Sequence, residues 1–197
     1  MDFKNTTIQQ MAAIATLLPT TASPRPTRTD PIWANIPDYL TARHRWVPWT
    51  YEVIFGKSGG RWSKVPKRLS RRNASSTDPG TWLTWEQVQV AFQADTDADR
   101  FFDGIGFVLT PEDGLIGWDF DRCFYVLGQI IDPAVEPCII ALNSYTEITP
   151  SGTGLRVFTR GTLPAEGRKR ANFPTPKLDC ECYISGRVLS VTGNRIL

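Results

Sequence analysis

The chain of 197 residues is short of the residue types on which several common chemistries depend. It has one histidine, His44, so a histidine-rich metal site and a mechanism that uses two imidazoles are both closed to it. Its four cysteines stand at 123, 138, 180 and 182, and apart from one Cys-x-Cys they are far apart, with no second close pair and no histidine pair, which argues against zinc. Free thiols imply a reducing, cytoplasmic setting. No apolar run approaches the roughly 18 residues needed to cross a bilayer. The short stretch Met11 to Leu18 is interrupted by Thr16 and lacks the basic flank of a secretory signal, so no membrane partner is expected. Nor is there a large charge excess. A net charge of +2 does not announce a nucleic-acid binder through bulk attraction.

What is present is an ordinary globular composition, 41% hydrophobic and 21% charged, enough for one compact domain with a full core. Charge is unevenly placed. Arg61, Lys64, Lys67, Arg68, Arg71 and Arg72 form one basic cluster and Arg168, Lys169 and Arg170 a second, while Asp95 to Asp103 is acidic. Such blocks are commonly solvated surface, and two of them can also flank an anionic ligand.

Residues 1 to 31 hold a possible short helix, Thr7 to Leu18, followed by a Pro- and Thr-rich stretch that cannot build a core and reads as a flexible leader or linker. The domain is expected over 32–197. Pro37 to Arg43 reads as a short helix, Trp46 to Phe55 as a strand, Gly56 to Gly60 as a hairpin-like turn and Arg61 to Pro66 as a second extended stretch. Thr84 with Gln87 three residues on makes a capping box that opens a helix from Trp85 to Gln93. Gly104 to Leu109 and Leu115 to Asp121 read as strands. Tyr125 to Ile131 is a mixed apolar segment, and a helix is expected over Pro133 to Asn143. Tyr145 to Thr149 and Leu155 to Thr159 read as strands around a turn at Pro150 to Gly154, and Leu178 to Tyr183 with Arg187 to Thr192 as a final hairpin turning at Ser185-Gly186. The class is α+β, with antiparallel or mixed strands outnumbering helices.

Three strings carry the chemistry. The first is Trp118-Asp119-Phe120-Asp121: strand alternation sends Asp119 and Asp121 to one face, where their repulsion calls for a compensating charge, and a hard cation such as Mg²⁺ or Mn²⁺ is the usual one. A solvated turn or a pair of caps also explains such a strand end. The second is Ser151-Gly152-Thr153-Gly154-Leu155-Arg156, a Gly-rich turn whose backbone N–H groups can approach phosphate oxygens while a guanidinium forks onto the same anion; an ordinary hairpin turn has this form too. The third, Asp179-Cys180-Glu181-Cys182-Tyr183, is another alternating acidic pair, which an exposed edge strand would also carry.

The order of these strings, followed by Gly186-Arg187 to Thr192-Gly193, resembles the archaeo-eukaryotic primase superfamily, specifically the primase-polymerases of phages and plasmids. The resemblance covers roughly Trp46 to Asn194 and includes Lys64-Val65-Pro66-Lys67 and the stretch from Ala74 to Trp82. It implies a catalytic core with an RRM-like mixed or antiparallel sheet flanked by helices, acting as a DNA primase and DNA polymerase. It implies that Asp119, Asp121 and Glu181 hold two Mg²⁺ or Mn²⁺ ions, with Asp179 the competitor for the third place. Ser151, Gly152, Gly154 and Arg156 would meet the triphosphate of an NTP or dNTP, and Lys64 and Lys67 the same phosphates or the backbone of a single-stranded DNA template or primer-template. One departure stands out: Arg156 occupies the place where the family most often has histidine, which preserves phosphate anchoring and removes a proton shuttle. The chain then reads as the N-terminal part of a longer replication protein with a helicase among its partners. The alternatives are a non-catalytic nucleic-acid-binding module of the same fold and a metal-dependent nuclease.

Overall fold

Burial explains why strands dominate. In the computed structural model, which describes residues 23–56, 59–123, 132–163, 168–171 and 179–196, strand β3 (Gly104–Leu109) is buried at every position and β4 (Leu115–Asp121) at all but Trp118, Asp119 and Asp121. The expected helix at Thr7 to Leu18, the segment Tyr125 to Ile131 and the side chains of Arg168, Lys169 and Arg170 lie outside the described residues. Strand β1 (Trp46–Gly56) is buried from Trp46 to Tyr51 and exposed from Ile54 onward, where it runs out with its hairpin partner β2 (Gly59–Pro66). The remaining strands are β5 (Tyr145–Ile148), β6 (Leu155–Arg160), β7 (Arg168–Ala171), β8 (Asp179–Tyr183) and β9 (Arg187–Val191), with helices α1 (Asp38–Thr41), α2 (Trp85–Ala94) and α3 (Glu136–Leu142).

The strands form two sheets, ordered β2-β1-β3-β9 and β5-β6-β4-β8-β7, in which every pairing is antiparallel. The α+β class stands. The strands are antiparallel and divide between two sheets, and the final hairpin expected from the sequence does not form: β8 pairs with β4 and β7, and β9 with β3. The reason is that the two strands serve different cores. Cys180 packs with Phe120, Leu155 and Val157, whereas Leu189 and Val191 pack with Ile105 and Phe107. A local turn signal reports that the chain reverses, not which strand it then joins.

The capping box of α2 is present, with Gln87 N donating to Thr84 Oγ1 at 3.2 Å and Thr84 N to Gln87 Oε1 at 2.9 Å. Helix α3 starts later than the sequence suggests, at Glu136, because Pro137 sits in the first turn, where its missing N–H costs nothing. Its end at Asn143 is left-handed, with φ 38°.

The main core is shared by both sheets and α2, and Gly117 of β4 packs closely against the other sheet. A Cβ there would lie 2.2 Å from Leu189 Cδ1 of the other sheet. Residues 25–31, read from sequence as leader, are fastened to this body. Arg25 Nη2 donates to the fully buried Asp103 at 2.5 Å, Thr29 N donates to Asp103 O at 2.8 Å, and the Arg28 guanidinium lies 3.9 Å over the Phe92 ring.

Candidate active site

Strand register assembles the site. Asp119 of β4 stands opposite Arg156 of β6 on one side and Glu181 of β8 on the other; Arg156 is opposite Glu147 of β5, and Arg170 of β7 is opposite Glu181. Residues directly opposite in antiparallel strands project to one face, so a single row of ionisable positions crosses the sheet. Asp121 lies two residues further on, on the same face and opposite Asp179. Phe120 points the other way into the second core cluster, as alternation requires.

The row faces a cleft of about 380 Å³ between the two sheets, lined by Asp119, Arg156 and Glu181 from one and by Trp49, Trp62 and Lys64 of the β1–β2 hairpin from the other. Thus Asp119, Glu181, Arg156 and Lys64 line one cleft. Arg156 is built in more firmly than expected. Its Nη2 donates to Asp119 Oδ1 at 2.7 Å, and its Nη1 donates to Ser190 O at 2.7 Å and Ser190 Oγ at 2.5 Å, so one buried guanidinium ties β4 and β6 to β9 of the other sheet. Glu181 accepts a hydrogen bond from the Tyr183 hydroxyl.

Lys64 is exposed to the cleft, yet surrounding protein limits hydration of its ammonium, and Arg156 adds like-charge repulsion. Together they lower its pKa to about 8 against the opposing pull of Asp119 and Asp121. The ammonium is therefore charged below that pH and neutral above it. In the metal-free protein its Cε resonance should titrate near 8 by ¹³C NMR; a midpoint at the ordinary lysine value of 10.5 would contradict the placement.

Behind Arg156, Glu147 is fully buried. It accepts from Tyr145 Oη at 2.6 Å and from the backbone N–H groups of Thr192 and Gly193 at 3.0 and 2.8 Å, and burial raises its pKa despite them. Thus the end of β9 is clamped to β5 at the back of the row.

The Gly-rich turn lies beside the site rather than in it. Ser151 Oγ is engaged with Thr149 Oγ1 at 3.1 Å and Thr153 Oγ1 at 3.0 Å, and Thr153 O accepts from Cys123 N at 2.8 Å, just past the Asp121 end of β4. Gly152 has φ 71°, and a Cβ on Gly154 would lie 2.6 Å from the Phe120 carbonyl oxygen. Backbone cannot swing aside. Gly154→Ala should therefore cost about 1–3 kcal/mol by overpacking and lower the thermal unfolding midpoint by several degrees; an unchanged midpoint would overturn that reading. Lys67 is not brought to the cleft. It is buried, with its Nζ on Glu52 and, at 2.6 Å, on Asn73 Oδ1.

Among the cleft residues that sequence reasoning missed are Arg187, Tyr183 and Ser190. Arg187, whose guanidinium stacks 4.9 Å over the Tyr183 ring, and Tyr183 itself sit in the third string and were readable as its neighbours. Ser190 had no local signal.

The four cysteines are buried free thiols, and burial pushes Cys123 up to about 12, so none is poised as a nucleophile. The donors on the acidic face are carboxylate oxygens, which suit a hard divalent cation. Among the described residues no three His, Cys, Asp or Glu side chains enclose an ion by themselves. Also among the described residues, no helix is long and apolar enough to cross a membrane.

No protein-family model matches the chain. It is 31% identical over 156 residues, 78% of its length, to a DNA primase-polymerase of Nitratiruptor phage NrS-1. It spans about a fifth of the length of that relative, 20%.

Proposed function

Because the chain belongs, by this homology, to the archaeo-eukaryotic primase superfamily and its phage primase-polymerases, we propose that it is the DNA primase/DNA polymerase domain of a phage- or plasmid-type replication protein. It transfers nucleotides from NTP or dNTP onto a strand directed by a single-stranded DNA template or primer-template. The observation that carries the reading is the register that sets Asp119 opposite Glu181, with Asp121 on the same face, across a cleft from Lys64.

Asp119, Asp121 and Glu181 are the residues that would hold Mg²⁺ or Mn²⁺. Such ions, when bound, favour ionisation of the attacking hydroxyl and offset charge on the departing pyrophosphate. The chain's own groups do the rest. Lys64 and Arg187 take the triphosphate charge, and the Ser151 to Gly154 turn, packed beside the site, supports the Asp121 end of β4. The attacking oxygen bonds to the α-phosphorus as the bond to pyrophosphate breaks. Arg156 acts through Asp119, fixing its carboxylate between the two sheets, rather than on phosphate directly. Lys67 has a structural part, holding the end of β2. A helicase elsewhere in the replication protein is a fitting partner.

One observation favours a second reading. The Arg156–Asp119 ion pair already gives Asp119 a cation, as a domain that binds template and nucleotide without catalysis could do. Incubation with primed single-stranded template, labelled nucleotides and Mg²⁺ or Mn²⁺ separates the readings. Extension or priming is expected; a gel shift alone identifies the binding module, and template degradation a nuclease.

A further inference from the structure

The β1–β2 hairpin carries an aromatic surface that the nucleotide chemistry does not use. By alternation and register, Trp49, Tyr51, Val53 and Phe55 of β1 share one face with Pro66, Lys64, Trp62 and Gly60 of β2. The inner end of that face is the cleft wall, where Trp49 and Tyr51 stack edge to face with centroids 4.9 Å apart and Lys64 and Trp62 line the opening. The outer end leaves the core, and there Phe55 is 63% exposed. Gly60 is what lets its ring lie on the hairpin, because a Cβ at that position would meet Phe55 Cε1 at 3.0 Å and Val53 Cγ1 at 2.9 Å. Trp62 is pinned by its indole N–H, which donates to Ser23 O at 2.5 Å. On the same face, the exposed Lys64 supplies positive charge.

A single exposed phenylalanine needs no explanation. One on a face that runs into a cleft and also carries Trp62 and the Lys64 ammonium matches what single-stranded nucleic acid requires: ring faces for bases and positive charge for phosphates. We propose that the hairpin face carrying Phe55 and Trp62 is a stacking platform for the unpaired bases of the template strand as it enters the cleft. The assignment rests on the template-directed reading above and adds the surface that grips the template.

The test is fluorescence anisotropy of the chain with end-labelled oligothymidylate, alongside KM for template and for nucleotide in extension. One base–aromatic stack corresponds to roughly tenfold or more in affinity. Phe55→Ala, at an exposed position, should weaken oligonucleotide binding by about that factor and raise the template KM while the nucleotide KM stays put; Phe55→Trp should restore binding. Wild-type binding by Phe55→Ala, with extension intact, overturns the platform and leaves the polymerase reading standing. Failure of the unaltered chain to bind the oligonucleotide overturns both.

Discussion

Asp119→Asn is expected to leave the protein folded and to reduce template-directed extension by more than the roughly 10–100-fold typical when an outer partner of a metal site is lost. The substitution is chosen for the ion pair. Asp119 Oδ1 accepts from Arg156 Nη2, and an asparagine oxygen can accept the same hydrogen bond, so the strut between the sheets persists while the carboxylate charge is gone. Asp119→Ala would be a poorer probe, since it strands a guanidinium whose side chain is only 5% exposed and mixes instability with loss of chemistry. The measurement is extension rate beside a thermal melt. Unaltered extension by a folded Asp119→Asn protein would remove the acidic face from the mechanism.

The second large effect is structural and belongs to Arg156. Arg156→Met is expected to destabilise the fold by about 2–4 kcal/mol, at or below the range for breaking a buried pair, because Asp119 keeps some contact with water. Two interfaces fail at once: the carboxylate of β4 loses its partner, and Ser190 O and Oγ of β9 lose their donor. Denaturant unfolding of Arg156→Met, Asp119→Ala and the double variant forms a cycle that should show about 1–3 kcal/mol of coupling. Additivity would mean that the pair does not act as a unit, and Arg156 would again be open to a direct role on phosphate.

Much of the site was legible because its geometry is local. The bounds of β3 and β4 follow from runs of apolar residues ended by polar ones, and period two alone sets Asp119 and Asp121 on one face. The capping box at Thr84 and Gln87 was equally plain. What was not legible depends on distant partners. Nothing near Arg156 reveals that its guanidinium is taken up by Ser190, 34 residues later, and by Asp119, 37 residues earlier. The same holds for β8 and β9, adjacent in sequence and assigned to different sheets by what their side chains pack against. Lys64 and Lys67 looked equivalent as members of one basic cluster. Parity separates them: Lys64 lies on the cleft face of β2, while Lys67, three residues on and past the strand's end, turns inward to Glu52 and Asn73.

These distinctions bear on how the domain works. In the proposed reading Lys64, with a pKa lowered to about 8, supplies the cleft cation, while Arg156 is committed to the frame. The departure from histidine thus falls on the support of Asp119 and leaves the cleft its own cation.

The most direct measurement is incorporation of one labelled nucleotide opposite a single defined template base, repeated with each of the four bases and with Mg²⁺ or Mn²⁺ present or chelated. The polymerase reading predicts addition of the complementary nucleotide in each case, lost on chelation. Addition indifferent to the template base, or none at all from a folded protein that still binds the oligonucleotide, would contradict it.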